Sequence, residues 1–199
     1  MEFAIVAPFL ILTFFSTVGL GITMGRYNQT VQVARDIAHM YVDGLDFTQS
    51  QTQNIALQLA SGTGMTANGG NGVVILSRII TVYQADCDAA GYTNTCGGLN
   101  HQVVTQRIVF GNSALRSSTF GTPSGGLANG KGNISPTVYL QLTDSSVDAT
   151  SGFGPLLTAS GSTQDDGQTA YVAEVFFSYP DVSYLGTSTT GGAYARFIF

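Results

Sequence analysis

Residues 2–45 read EFAIVAPFLILTFFSTVGLGITMGRYNQTVQVARDIAHMYVDGL, and this stretch decides the fold. It carries no charge between Glu2 and Arg26. As a helix, the 22 residues from Phe3 to Met24 would extend about 33 Å, at about 1.5 Å of rise per residue. Because the hydrocarbon core of a bilayer is about 30 Å thick, this apolar segment can span a membrane.

Three kinds of segment share this character. A cleaved signal peptide would need a positive n-region and small residues at a cleavage site, and neither flanks this run. An ordinary membrane anchor is the simplest alternative, with Glu2 in water at the membrane surface. The third alternative gives Glu2 a role in assembly, because an ionisable residue at the edge of an apolar helix is costly unless it meets a partner.

The helical pattern continues past the apolar segment. Apolar residues recur at spacings of three and four and are expected on one face, namely Val31, Ala34, Ala38, Tyr41, Val42 and Leu45. One helix is therefore predicted from the N-terminus to about Val42, with Gly44 as the break. Pro8 lies inside it, frees the carbonyl of Ala4 and is expected to bend or unwind the first turns.

A second, shorter helix is predicted over residues 48–60. Thr48 with Gln51 three residues later matches a capping box, and Gly62 and Gly64 would end the helix. Its apolar contacts are expected from Ile55, Leu57, Leu59 and Ala60.

From about Val73 the apolar period changes to two, which is typical of strands. Five strands are predicted, over residues 73–84, 102–110, 137–143, 169–179 and 193–199. The polar segments 111–133 and 186–192 are expected at the surface. This array predicts an α+β fold in which the long N-terminal helix packs on an antiparallel β-sheet.

Two regions follow from this reading of the pattern. Residues 1–61 would form a helical region, with an apolar part (1–25), an amphipathic continuation (26–43) and the second helix. Residues 62–199 would form a β-rich domain with long Gly, Ser and Thr loops.

The amino-acid composition limits the classes of protein to which this chain can belong. Charged residues make up 10% of the chain, against about 25% in an average soluble domain. The 44% of hydrophobic residues excludes intrinsic disorder, and a pI of about 4.6 with seven basic residues argues against nucleic acid as a partner. A neutral polar exterior around an apolar interior is common in extracellular surface proteins.

Cys87 and Cys96 are the two cysteines, in the string DCDAAGYTNTC. In an exported protein such a pair is most simply a disulfide. A metal or redox site would need a C-x-x-C spacing or nearby histidines, and the sequence has neither there.

The N-terminal string resembles the TadE-like family of pseudopilins and minor pilins, part of the type IV pilin group. Members carry a Glu-Phe or similar dipeptide, an apolar helix with an early proline, and an Ala-Ala-Arg-like amphipathic continuation. The matching residues, in order, are Glu2, Phe3, Pro8, Ala34 and Arg35. The likeness covers about residues 1–45, and more weakly the string YVAEVFFSYP that ends at Pro180.

The resemblance implies a subunit that is anchored in the inner membrane, meets the pilus assembly machinery and then enters an extracellular helical filament of its own copies. In related pilins the amino terminus left by leader cleavage pairs with a glutamate of a neighbouring subunit. Carried over to this sequence, the pair is Glu2 and the amine of Met1, with Phe3 and Pro8 as further assembly residues. Related pilins usually carry this glutamate a few residues further along than Glu2.

The sequence offers no catalytic or cofactor-binding motif, so neither an enzymatic function nor a cofactor is expected. His39 and His101 are too few for most metal sites. The pairs Asp86 with Asp88 and Asp165 with Asp166 lack an EF-hand spacing, and solvated turns explain them more simply than Ca²⁺ does.

Two asparagines, Asn133 in NIS and Asn28 in NQT, satisfy the N-glycosylation pattern. Asn133 lies in a predicted loop and is the better acceptor.

One functional alternative to the filament subunit stays open. A membrane-anchored surface or periplasmic domain could bind sugar, a surface or another protein through its Gly- and Thr-rich loops. The two differ in where the helix ends, since a filament subunit leaves the membrane and an anchored adhesin domain stays in it.

Overall fold

The computed structural model describes residues 2–160, 164–165, 167–179 and 191–199, and for residues 2–5 and Ser160 it describes the backbone alone. A single helix, α1 (Glu2–Val42), opens the chain and continues through Pro8. It ends just before Gly44, which has a φ of +86° in the left-handed region that favours glycine. The predicted long helix is confirmed.

A shorter helix, α2 (Ser50–Leu59), follows α1, but the predicted capping box is wrong. Thr48 lies before the helix, where its backbone N–H and its hydroxyl both donate to the carboxylate of Asp46. The helix instead begins after Gln49, with no side-chain cap. It buries Ala56, with Ala60 just after it, whereas Ile55 and Leu59 are exposed.

The rest of the chain builds a four-stranded antiparallel sheet and its cover. The elements in chain order are β1 (Met65–Thr66), β2 (Gly69–Gly70), β3 (Gly72–Thr81), α3 (Gln84–Ala89), β4 (Gln102–Gly111), α4 (Pro136–Gln141), α5 (Thr150–Ser160), β5 (Thr169–Ser178) and β6 (Gly192–Ile198). The order in the sheet is β4-β3-β5-β6, with β1 and β2 as a separate small hairpin. This confirms the predicted α+β architecture.

The strand predicted over residues 137–143 is wrong, because this segment forms α4. Pro136 stands in the first turn of the helix, where the missing N–H costs nothing. The turn places Leu140 in a small core with Val82, Cys87 and Val103. An alternating apolar pattern over seven residues fits one short helix as well as a strand, and tertiary packing decides between them.

One face of the sheet packs against the second half of α1. Buried side chains of α1 there include Val33, Ala34, Ile37, Ala38 and Tyr41. They meet side chains of the sheet such as Val74, Leu76, Val175 and Phe177. The predicted helix face was correct at Ala34, Ala38 and Tyr41, missed Val33 and Ile37, and wrongly included Val42 and Leu45, which are exposed.

The opposite face of the sheet is covered by residues 112–160. Phe120, Ile134, Val147 and Phe153 pack there with Ile79, Val104 and Val172. Phe120 is fully buried, so the segment 111–133, predicted as a surface loop, also supplies part of a core. Coverage of both faces explains why β3 is apolar on both sides.

Candidate functional site: the exposed apolar helix

The first half of α1 projects its apolar side chains into open space. From Val6 to Met24 the large side chains are exposed, with Phe9 and Met24 each 71% exposed. The most apolar stretch of the helix has none of its residues buried, and over residues 6–42 the helix is long and apolar enough to cross a membrane. A surface of this kind needs lipid or protein to cover it.

The polar side chains of this segment are satisfied within the helix. Each of its four described hydroxyls donates to a backbone carbonyl three or four residues earlier, at 2.8 to 3.0 Å; they belong to Thr13, Ser16, Thr17 and Thr23. The segment therefore offers an apolar surface with its hydrogen bonds already made, which suits lipid or a packed helix.

A cluster at one turn of α1 fixes how the apolar segment leaves the domain. The guanidinium of Arg26 lies 4.8 Å from the centre of the Tyr179 ring, and the hydroxyl of Tyr179 donates to the carbonyl of Arg26 at 3.2 Å. The hydroxyls of Thr30 and Tyr179 are 3.1 Å apart. Gln29 donates to the carbonyl of Ser61 at 3.1 Å. The sequence patterns did not predict this junction, which begins at the first charge after the apolar run.

A model of the TadE-like protein family matches residues 1–39. The N-terminal segment is TadE-like. The match confirms the N-terminal part of the resemblance, and its range covers the apolar part of α1 and the α1 side of the junction at Arg26. No curated protein and no solved structure matches the chain.

The residues predicted to direct assembly lie in or beside this TadE-like segment. Met1 lies outside the described residues, and of Glu2 and Phe3 the backbone is described, in the first turn of α1. Pro8 is exposed. At Gly21 and Gly25, an added Cβ would have no described atom within 4 Å, so the helix surface at both glycines is open to a closely packed neighbouring helix.

Cys87 and Cys96, far from the TadE-like segment, form a disulfide, as the sequence predicts. Their Cα atoms are 5.8 Å apart. Cys87 is fully buried, and Cys96 packs at the same small core.

Removing this disulfide should lower stability. Replacing both Cys87 and Cys96 with Ser is expected to reduce the free energy of unfolding by about 2 to 3 kcal/mol, because the closed loop restricts the unfolded chain. Urea unfolding of the oxidised protein and the double variant measures the difference. Equal stability of the two would show that the loop is held by its packing alone.

The other residues singled out in the sequence form local structural contacts. His101 Nδ1 lies 3.0 Å from a carboxylate oxygen of Asp148. Burial alone would raise the pKa of Asp148, but hydrogen bonds from Thr150 and then from His101 lower it below its usual range. His39 packs on the ring of Phe199, with ring centres 4.8 Å apart.

The first acidic pair, Asp86 and Asp88, was expected in a solvated turn but lies in the short helix α3. Asp86 accepts from the N–H of Tyr83 at 2.9 Å, and Asp88 accepts from Gln84 at 2.8 Å. Asp165 is described and exposed, whereas Asp166 lies outside the described residues. Within the described ranges, no group of three His, Cys, Asp or Glu side chains is placed to hold a metal. Asn28 is exposed and Asn133 is half-buried.

A buried carboxylate that the sequence patterns did not predict lies on the face of the sheet opposite α1. Glu174 in β5 is 1% exposed. Ser118, Thr119 and Tyr194 donate hydrogen bonds to it, the last at 2.7 Å. The carboxylate thereby ties the long segment after β4 to both β5 and β6.

Basic and aromatic groups complete this cluster. Burial lowers the pKa of Arg107 to about 10, and the charge of Glu174 opposes that shift. Burial, followed by the hydrogen bond to Glu174, raises the pKa of Tyr194 to about 12. The guanidinium of Arg116 lies 3.8 Å from the centre of the Tyr194 ring. The only signal of this cluster in the sequence is Glu174 itself, the one acidic residue in the otherwise mostly apolar strand β5.

Proposed function

We propose that this protein is a structural subunit of an extracellular, type IV pilus-like filament of the Tad type. The observation that carries the proposal is the exposed apolar half of α1, which is continuous with the folded domain and TadE-like in sequence. The apolar halves of many copies would form the core of the filament. The β-rich domains would form its outer layer.

The cost of exposing the apolar segment limits where it can reside. Thirteen large apolar side chains lie from Phe3 to Met24. At about 1.5 to 3 kcal/mol each, their exposure to water would cost about 20 to 40 kcal/mol. The segment therefore stays in lipid or packs against other helices, which corresponds to an inner-membrane anchor before assembly and a filament core after it.

The domain surface suits a repeating outer layer. The chain carries a net charge of −5 over 199 residues, with many small polar residues. Copies stacked in a filament would repel each other weakly through such a surface. We propose a structural and not an enzymatic role for this domain.

A membrane-anchored binding or adhesin domain is the second candidate. It is favoured by a polar pocket of about 230 Å³ near the end of α1, lined by both cationic and aromatic side chains. Such a domain would use the same apolar helix as a permanent anchor.

Fractionation of sheared cells separates the two candidates. Cells that produce the full chain are sheared, fibres are separated from membranes by centrifugation, and peptides of this chain are quantified in both fractions. A filament subunit is expected in the fibre fraction, with fibres visible by negative-stain microscopy. Recovery in the membrane fraction alone would favour the anchored domain.

Substitution of Glu2 tests the proposed assembly contact. If the Glu2 carboxylate is removed, the amino terminus of the neighbouring subunit would stay buried and unpaired in the low-dielectric core of the filament. Breaking a buried ion pair in this way costs about 3 to 5 kcal/mol. Glu2→Ala and Glu2→Gln are therefore expected to lower the yield of sheared fibres at least about tenfold. Asp36→Asn, which removes an exposed acid from the same helix, is the matched control. Unchanged fibre yield in both Glu2 variants would overturn this role.

A further inference from the structure

We propose that a pocket at the C-terminal end of α1 binds an acidic monosaccharide, with Arg78 receiving the sugar carboxylate. The pocket has a volume of about 230 Å³. Its walls come from Tyr41 and the turn after α1, from Arg78 in β3, from Gln106 in β4, from residues 131–133 and from Tyr171 in β5. It lies on the domain and not on the apolar segment, so the proposal holds for a filament subunit and for an anchored domain alike.

Arg78 has the properties of an anion receptor. One Nη donates to the amide oxygen of Gln106 at 3.0 Å, and the guanidinium lies 5.7 Å from the centre of the Tyr171 ring. Its Nε is buried and has no hydrogen-bond partner within the described part of the chain. No carboxylate of the described residues comes within 4.0 Å of this guanidinium. Because Nε is buried, a ligand would be received by the Nη hydrogens that Gln106 does not accept, and two of these can form parallel N–H···O bonds to one carboxylate.

The side chain of Gln106 holds Arg78 in place. Its amide oxygen also accepts from the hydroxyl of Tyr41 at 2.9 Å, and its amide nitrogen donates to the carbonyl of Lys131 at 2.9 Å. Every polar atom of this amide is therefore fixed by the protein. Arg78 is preorganised, so a ligand would lose little free energy in ordering it.

The turn that carries Lys131 is also fixed. Asn129 accepts from the backbone N–H groups of Lys131 and Asn133, at 2.9 and 3.0 Å. Gly132 has a φ of +73°, and a Cβ there would lie 2.5 Å from the carbonyl oxygen of Arg107. This close approach of the turn to β4 places Lys131 and Asn133 at the pocket.

Charge favours a monoanion over a dianion. Lys131 is the one lysine of the chain, and with Arg78 it brings two of the seven basic residues to a single pocket of a protein with a net charge of −5. Asp46 also lines the pocket, and its negative charge offsets one of these two positive charges. The remaining single positive charge matches a carboxylate better than a phosphate dianion. By contrast, Arg107, Arg116 and Arg196 gather near the buried Glu174.

Size and lining indicate a sugar that carries this carboxylate. With a volume of about 230 Å³, the pocket is smaller than a typical drug-sized site, which suits a single sugar ring and is more than acetate needs. Asn133 contributes an amide to the lining, which can bond sugar hydroxyls, and Tyr171 contributes an aromatic ring that can pack on the carbons of the sugar.

Ligand-observed NMR on the full chain tests the site. The protein is placed in phosphatidylcholine nanodiscs, which avoids detergents with sugar head groups, and saturation transfer is measured to glucuronate, glucose and acetate. Transfer to glucuronate is expected, with signals from glucose and acetate at least about tenfold weaker, because only glucuronate combines the charge with the hydroxyls. Transfer to glucose or acetate equal to that of glucuronate, or none to glucuronate, would overturn the proposal.

Variants connect the binding to the pocket. Arg78→Gln is expected to weaken glucuronate binding at least about tenfold, since the bidentate partner is lost. Lys131→Gln, on an exposed turn, is expected to weaken glucuronate binding about two- to fivefold and to leave the thermal unfolding curve unchanged. This second variant keeps the test valid if Arg78→Gln does not fold. Arg35→Gln, an exposed arginine on α1, is the matched control. Wild-type binding in Arg78→Gln or in Lys131→Gln would contradict the site.

Discussion

Glu174→Gln is expected to lower the free energy of unfolding of the domain by about 3 kcal/mol. The carboxylate is 1% exposed and accepts hydrogen bonds from Ser118, Thr119 and Tyr194. The substitution keeps the shape but turns one acceptor oxygen into a donor that faces other donors. It also removes the negative charge beside the buried guanidinium of Arg107, which would then lie uncompensated.

Urea unfolding followed by circular dichroism measures this loss. Asp43→Asn is the matched control, because it makes the same chemical change at an exposed acid just after α1 and is expected to alter stability by less than about 0.5 kcal/mol. A Glu174→Gln protein as stable as Asp43→Asn would show that the cluster does not hold residues 112–122 on the sheet.

Phe14→Asp is expected to lower the yield of fibres at least about tenfold while the chain stays in the membrane fraction. In the single chain the side chain of Phe14 is 64% exposed, and it lies near the middle of the apolar segment. An aspartate at the centre of a membrane helix costs about 2.5 to 3.5 kcal/mol, which the other apolar side chains of the segment outweigh. In a packed helical core the same charge cannot recruit water, and every copy would bury it.

Fibre yield and membrane content are measured after shearing, with Asn28→Asp as the control. That variant adds the same charge at an exposed position of α1, beyond the apolar segment. We expect a fall in fibre yield of at least about tenfold in Phe14→Asp, as a cost of 2.5 kcal/mol or more implies, and a near-normal yield in Asn28→Asp. Normal fibres with Asp at position 14 would place this segment outside any dry core.

The features that the sequence predicted correctly are those with local physical causes. The run from Phe3 to Met24 is apolar on all sides and carries no charge, and the end of α1 follows from a glycine with positive φ. The strands β3, β4, β5 and β6 follow from the apolar period of two that begins at about Val73. The disulfide follows from two cysteines nine residues apart, one in α3 and one in the segment after it, whose Cα atoms lie 5.8 Å apart.

The features that it missed depend on partners far along the chain. The segment 136–141 is helical and places Leu140 in a core with Val82 and Val103, which lie about 40 to 60 residues earlier in the chain. Glu174 receives its donors from Ser118 and Thr119, some 55 residues away. The Arg78 pocket likewise joins α1, three strands and a turn, and no spacing in the sequence connects them.

Helical reconstruction of sheared fibres by cryo-electron microscopy tests the proposed function most directly. Fibres from cells that produce the full chain should show an axial bundle of helices that contains residues 6–25, with the domain that holds the Cys87–Cys96 disulfide at the outer surface. Fibres whose core is built from another chain, with this protein confined to the membrane fraction, would contradict the filament-subunit function.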